Sequence, residues 1–297
     1  MSVLTRAEPG LRCLRAPNPG PLTGPGTNTY LLGKGDIAVI DPGPDQPAHL
    51  RAILGALRTG EQITHILITH SHRDHSPLAR GLAVETGAPV LAFGDSRAGR
   101  SAHMDALGED GRLGGGEGVD ESFAPDRRLA DGESVHVGDE TVTALWTPGH
   151  FGNHLCYLWR GAAFSGDHVM DWASTLVSPP DGDLTAFMRS LDRLEAQAPR
   201  KLYPGHGAPV TDPAARIGAL RAHRLARESA IRNLLAQRPA TIAALTAEIY
   251  ADTPPHLHGA ASRNVLAHLI DLHTRGLVEA DPGPYPDALY HLRTPAT

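Results

Sequence analysis

Ile63-Thr64-His65-Ile66-Leu67-Ile68-Thr69-His70-Ser71-His72-Arg73-Asp74-His75 is the stretch whose reading decides the fold. Its first half is apolar and β-branched and is bounded by polar residues, which predicts a buried strand. Its second half places three imidazoles and a carboxylate within six residues, where the chain leaves that strand. Four such groups crowded together repel one another or waste hydrogen bonds unless a cation lies between them. Imidazole nitrogen and carboxylate oxygen are the donors that a borderline divalent metal such as zinc prefers. In this reading His65, inside the apolar half, is a packed core group and not a ligand.

Three later motifs share this grammar: Trp146-Thr147-Pro148-Gly149-His150, Phe164-Ser165-Gly166-Asp167-His168 and Tyr203-Pro204-Gly205-His206-Gly207. Each follows a short apolar run and contains glycine, as expected where a strand breaks into a tight turn and presents a polar side chain at the end of a sheet. Four strand ends of this kind can converge on one rim.

The run His70, His72, Asp74, His75, followed by His150, Asp167 and His206, resembles the signature of the metallo-β-lactamase fold hydrolases. The resemblance spans roughly residues 20 to 210. It implies an α/β fold, an αββα sandwich with the site along one edge. It also implies one metal held by His70, His72 and His150, a second held by Asp74, His75 and His206, and Asp167 bridging the two. Gly26-Thr27-Asn28-Thr29-Tyr30-Leu31-Leu32, His72-Arg73-Asp74-His75-Ser76 and Tyr203-Pro204-Gly205-His206-Gly207 are similar, more narrowly, to the beta-lactamase-like protein 2 group. Characterised animal members of that group are zinc-dependent endoribonucleases acting on single-stranded RNA, and related fungal proteins are thioesterases.

The rest of the chain sets bounds on function. Its 297 residues suffice for one large domain plus a small one, expected at 1–210 and 211–297. Apolar residues at 41% and charged residues at 20% are ordinary for a soluble globular protein. A net charge of -6 argues against a surface built throughout to grip phosphate backbones. The two cysteines, Cys13 and Cys156, make no disulfide framework, and Cys156 reads as a core residue. The N-terminal residues lack the apolar core of a signal peptide and no run reaches membrane-spanning length, so the expectation is a cytoplasmic protein without a membrane partner.

Strands are expected at about 28–33, 36–41 and 89–93, with two or three between 134 and 146. Helices are expected at 47–57, 76–86 and 184–196, the last capped by Asp183. The glycine-rich, acidic stretch 97–126, with Glu109, Asp110, Glu117, Asp120 and Glu121, reads as a mobile surface loop, or alternatively as a lid over the metal site. After His206 the pattern turns helical. A long helix over 213–236 is expected to bury Ile217, Leu220, Leu225, Ile231, Leu234 and Leu235. A helix capped by Thr241 and a third over about 260–275 follow, then two short strands flanking Asp281-Pro282-Gly283-Pro284. This order resembles a winged helix. Residues 212–297 hold nine Arg and no Lys against eight Asp plus Glu, and only Arg263 and Arg275 lie on the third helix. A near-neutral module of this kind suits a structural or dimerising appendage, compatible with a homodimer, better than a reader of nucleic acid.

The expected chemistry is that of a dinuclear zinc hydrolase, with manganese or iron as alternative metals. Zinc can bring the pKa of bound water to about 7, and a hydroxide shared by two metals would be the nucleophile. Asp74 is the catalytic candidate, orienting that hydroxide or shuttling its proton. The substrate is expected to be single-stranded RNA, with a thioester or other small ester as the alternative; a non-enzymatic binding module would require a missing ligand. Candidate substrate contacts are Asn28, Thr175, Ser178 and His168. For Asn28 the competing role is a turn amide, and for His168 either a hydrogen-bond donor behind Asp167 or a surface residue. His256, His258, His268 and His273 read as ordinary structural residues.

Overall fold

The computed structural model describes residues 3–109 and 111–293. Residues 1–2 and 294–297, at the ends of the expected domains 1–210 and 211–297, and Asp110 lie outside the described residues. In chain order the elements are β1 (Val3–Glu8), β2 (Leu11–Arg15), β3 (Asn28–Lys34), β4 (Asp36–Ile40), α1 (Pro47–Gly55), β5 (Gln62–Leu67), α2 (Leu78–Thr86), β6 (Val90–Ala92) and α3 (Ala102–Gly108). They continue with β7 (Arg127–Arg128), β8 (Ser134–Val137), β9 (Glu140–Trp146), β10 (Leu155–Trp159), β11 (Ala162–Gly166), α4 (Leu184–Ala196) and β12 (Leu202–Pro204). The last part comprises α5 (Pro213–Gln237), α6 (Ile242–Ile249), α7 (His258–Thr274), β13 (Val278–Asp281) and β14 (Leu289–Leu292).

The strands form a seven-stranded sheet in sequence order β1 to β7, a five-stranded sheet ordered β12-β11-β10-β9-β8, and the ribbon β13-β14. Alternation along the strands sorts side chains into layers. In β3 and β4, Tyr30, Leu32, Ala38 and Ile40 face a core shared with Val142, Leu155, Tyr157 and Phe164 of the second sheet. The intervening Leu31, Ile37 and Val39 face the opposite way, onto Ile53 of α1 and Leu78 and Leu82 of α2. The second sheet turns Cys156 and Ala163 outward onto Phe187, Leu191 and Leu194 of α4 and Ile217 and Leu220 of α5. The result is the expected helix–sheet–sheet–helix sandwich.

Caps fix the helix starts. Asp183 accepts from Ala186 N at 3.0 Å, Asp212 from Ala215 N at 3.0 Å and Thr241 from Ala244 N at 3.3 Å. Helices α5, α6 and α7 with the β13-β14 ribbon close a separate core around Ile231, Leu245, Leu269 and Tyr290.

Three expectations are corrected. The stretch 97–126 is not a structureless mobile loop: it contains α3, and Met104 and Leu113 are buried in the core of the C-terminal helices. Val119 pairs with His72, and Ser76 Oγ donates to Asp120 at 2.8 Å, so this segment is fixed along the rim. On α5, Leu225 is 52% exposed, and the inward position next to it belongs to Arg224, at 2%. His65, within β5, is half-buried and not a core group, and its ring is satisfied by Thr64 Oγ1 at 3.0 Å.

Candidate metal centre

The site is built where strands of both sheets end on one edge. Parallel β4 and β5 release Asp41 and the His70–His75 run, and parallel β11 and β12 release Asp167 and His206. The turn after β9 carries His150. Two bonds clamp the sheets together at this edge: Leu155 N donates to Thr69 O at 2.7 Å and the Tyr157 hydroxyl to Ile68 O at 2.8 Å. Glycine is required at Gly205, where a Cβ would lie 2.5 Å from Asp167 Oδ1 and 2.6 Å from His75 Cε1.

All seven sequence candidates meet here. His70 Nε2 is 3.0 Å from His72 Nδ1, and His150 Nε2 is 3.1 Å from the same atom. Beside them His75 Nε2 and His206 Nε2 are 3.2 Å apart, and Asp74 Oδ2 is 3.0 Å from His206 Nε2. Asp167 lies between the two groups: its Oδ1 is 3.5 Å from His75 Nε2, and its Oδ2 is 3.4 Å from His206 Nε2 and 3.8 Å from His150 Nε2. Donors on a tetrahedral zinc at about 2.0–2.1 Å sit roughly 3.3–3.4 Å from one another, so both groups have the spacing of cation cages.

The outer nitrogens strengthen the fit. His150 Nδ1 lies 2.6 Å from Leu176 O and His206 Nδ1 3.3 Å from Gly26 O, and a carbonyl can only accept. His75 Nδ1 faces the Asp41 carboxylate at 3.0 Å. His70 Nδ1 is 3.0 Å from Thr69 Oγ1, which donates its own proton to Asp41 Oδ2 at 2.7 Å. In these four rings Nδ1 therefore carries the hydrogen, and each Nε2 lone pair points inward at other donors, the tautomer of a metal ligand. A site that only folded on itself would not aim lone pairs together.

Electrostatics divide the cluster in the same way. Burial, and then the positive charge that neighbouring His75 and His72 would carry, hold His70 well below the ordinary histidine range. Burial and His150 press His72 down to about 3. For His206 burial also lowers the pKa, but Asp167 and Asp74 outweigh it and raise the value to about 9. Burial would raise Asp167, yet the charges of His206 and His75 keep it well below the carboxylate range. His70 and His72 are thus held neutral, while the carboxylates hold His75 and His206 toward the protonated form, so that a divalent cation would take the place of those protons between the anionic Asp74 and Asp167.

The four candidate substrate contacts have other tasks. Asn28 is buried, and its Nδ2 donates to Pro204 O and Gly207 O at 3.0 Å each, holding the turn that bears His206. Thr175 Oγ1 donates to Asp167 O at 3.0 Å, and Ser178 Oγ accepts from Arg263 Nε at 2.8 Å. His168 is fully buried against the Phe187 ring, centroids 4.8 Å apart, so it is neither a surface residue nor within reach of a substrate. Each of these residues sits next to a ligand in sequence or space, but its polar group faces the scaffold.

Sequence reading missed Asp41, which also accepts from Thr69 N at 2.8 Å and so orients both His70 and His75. Its signal was present: Asp41-Pro42-Gly43 ends β4 with the same grammar as the other motifs. His154, buried behind His70 with Nδ1 2.9 Å from Thr147 Oγ1, carried no local signal. Neither did the carbonyls of Leu176 and Gly26, since any residue supplies one.

Residues 22–206 match the family profile described as metallo-beta-lactamase superfamily, and residues 241–283 match that of the beta-lactamase associated winged helix domain. A beta-lactamase-like protein 2 homolog of Drosophila melanogaster is 31% identical over 87% of this chain and 86% of its own length. An atrochrysone carboxyl ACP thioesterase of Aspergillus chevalieri is 31% identical over 77% of this chain and 67% of its own. Among solved structures, a metallo-beta-lactamase family protein of Thermus thermophilus superposes with a TM-score of 0.77 at 28% identity, covering 97% of this chain and all of that one.

Proposed function

The chain belongs to the metallo-β-lactamase superfamily, and from that premise we propose that it is a dinuclear zinc hydrolase acting on a thioester or related ester-type carbonyl. The observation that carries this reading is the convergence of seven donors, among them four imidazoles tied outward at Nδ1 with Nε2 turned inward and His72 turned inward through Nδ1. His70, His72 and His150 would hold one cation and Asp74, His75 and His206 the other, with Asp167 between them. Such a pair supplies Lewis acidity for a developing oxyanion and acidifies water to a pKa of about 7. The carboxylate most open to solvent is Asp74, whose side chain is 27% exposed against 10% for Asp167. Proton handling at the rim therefore falls to Asp74, while Asp167 organises the cage. We assign residues 1–210 to the catalytic domain and 211–297 to the winged-helix-like module.

A carbonyl substrate is favoured by the thioesterase among the relatives and by the chemistry of α7. Arg263 donates to Ser178 Oγ, Leu113 O and Pro179 O, and Arg275 pairs with Glu228 and Asp271 at 2.7 and 2.8 Å. Both guanidiniums on α7 are thus engaged within the protein, which weighs against α7 as a basic face for reading RNA. Among the described residues no helix is long and apolar enough to cross a membrane.

The test is a panel of acyl-coenzyme A and acyl-carrier thioesters run beside a fluorescent single-stranded RNA, with metal content measured on the same sample. Close to two metal equivalents and chelator-sensitive thioester turnover are expected. Salt-sensitive RNA cleavage with inert thioesters would overturn the substrate assignment, and full activity in metal-free protein would overturn the mechanism.

A further inference from the structure

Arg224 is the feature of the C-terminal module that packing does not explain. It is 2% exposed, and among the described residues no carboxylate touches it. Burying a guanidinium without a counter-charge is costly, and hydrogen bonds from its donors offset part of that cost. Burial lowers its pKa to about 10. A leucine at this helical position would dock α5 against Phe187 of α4, whose ring Arg224 covers at 5.1 Å, without that cost.

Nε has no hydrogen-bond partner among the described residues, but Nη2 directly, and Nη1 through Asn264, reach the segment that passes behind the metal centre. Nη2 donates to the carbonyls of Ser174 at 2.7 Å and Thr175 at 2.5 Å. Nη1 donates at 2.9 Å to Asn264 Oδ1 on α7, and that oxygen also accepts from Val177 N at 3.1 Å. Thr175 is held at φ +62°, a left-handed conformation that β-branched residues rarely adopt. Such a conformation persists when its surroundings over-determine it, and here two helices bracket it from either side.

Besides a bond from the Thr175 hydroxyl to His168 O at 3.3 Å, two contacts that leave this segment on its other side end on metal-site groups. The Thr175 hydroxyl donates to the backbone carbonyl of Asp167, and the Leu176 carbonyl receives the His150 Nδ1 hydrogen at 2.6 Å. We propose that Arg224, with Asn264, is a positioning residue for the metal centre, so that the winged-helix-like module is a working part of the active site through the 174–177 segment. Arg224 fixes the height of the Leu176 carbonyl, which sets the His150 tautomer and ring orientation, and it seats Thr175 beneath Asp167. The proposal rests on the metal reading above. Because His150 belongs to the cage with His70 and His72, while Asp167 lies between the two cages, disturbing Arg224 should be felt more at the His70, His72 and His150 cage than at Asp74, His75 and His206.

Arg216 supplies the control. It also reaches from α5 into this region, donating to Met170 O at 2.7 Å and Ala173 O at 2.6 Å, but neither carbonyl's residue touches a ligand through a described hydrogen bond. The experiment titrates cobalt into the metal-free full chain and records its visible absorption, alongside thermal melts, for wild type, Arg224→Met, Arg224→Lys and Arg216→Gln. Arg224→Met is expected to weaken one of two cobalt sites on the order of 10-fold, to alter its absorption band, and to lower kcat more than it changes KM. Arg224→Lys should recover part of this, since an ammonium can reach the carbonyls but lacks the fork. Arg216→Gln should lower the melting temperature and leave the cobalt spectrum unchanged.

A folded Arg224→Met with wild-type cobalt affinity and spectrum would overturn the proposal, as would an equal change in Arg216→Gln. If Arg224→Met fails to fold, Thr175→Ala is read by the same criteria, and an unchanged spectrum there overturns it too. Wild-type protein that binds no cobalt would refute the metal reading itself, a result separate from any difference among variants.

Discussion

The rim and the C-terminal module both bury histidines, and they bury them differently. At the rim, His70, His75, His150 and His206 each have Nδ1 tied to an outer acceptor or hydroxyl while Nε2 faces other donors. In the module, His268 is equally buried, yet neither of its ring nitrogens has a hydrogen-bond partner among the described residues. Burial alone therefore does not mark a ligand. What sets these four apart is an anchored outer nitrogen together with an inner one that meets other donors, because the anchor supplies the orientation and basicity that coordination uses.

The strongest way to break this contrast is at Asp167. Asp167→Asn should leave at most one tightly held metal equivalent and lower kcat/KM by roughly 10³-fold or more, since metal polarisation of the reacting group is worth several kcal/mol. Elemental analysis and turnover check this together, and unaltered metal content would remove the bridging role. One layer out, Asp41→Asn should weaken metal binding by about 10–100-fold while the chain stays folded. A chelator competition titration reads the effect, and wild-type retention would mean that the outer anchor is ornamental.

His268 sharpens the other side. Burial first, and then the charges of Arg224, His223, Arg275 and Arg227, hold its pKa at about 3. The folded chain thus keeps the ring neutral while the unfolded chain takes up a proton below about pH 6.5. Its contribution to stability is intact above that pH and declines as the pH falls toward 3, by at most about 1.4 kcal/mol per pH unit. His268→Leu should match wild type near pH 7 and lose stability less steeply from pH 6.5 to 4. Denaturant melts across that range measure it, and parallel pH curves would refute it. The smallest effect is expected at Leu225, which is 52% exposed. Leu225→Gln should change stability by within about 0.5 kcal/mol, whereas a core position would cost several times more.

Legibility followed the range of the interactions. Strand ends could be read because the local pattern, an apolar run followed by glycine and a polar residue, is set by neighbours in sequence. The same applies to the caps at Asp183 and Thr241 and to the apolar alternation of β3 and β4. The 97–126 stretch misled because its glycines and acids look solvated, while Met104, Leu113, Val119 and Phe123 are buried within it. On α5 a simple apolar stripe put Leu225 inside, but the helix meets a segment rich in free carbonyls, and a guanidinium fits there where an alkyl group would leave them unsatisfied. Asn28 and Thr175 were noticed for the right neighbourhood but assigned to the wrong side of the wall.

The amino-acid sequence by itself determined which donors this protein has and that they stand at strand ends, because ligand chemistry is written in residue type and a strand's exit is a local event. Tertiary structure alone decided which imidazole nitrogen faces inward, that Asp41 serves two ligands, and that a helix far beyond Asp167 in the chain carries the guanidinium holding the segment beneath it. Those outcomes depend on backbone carbonyls and on approaches between distant segments. A carbonyl is the same at every residue, so only the folded geometry distinguishes the ones that matter.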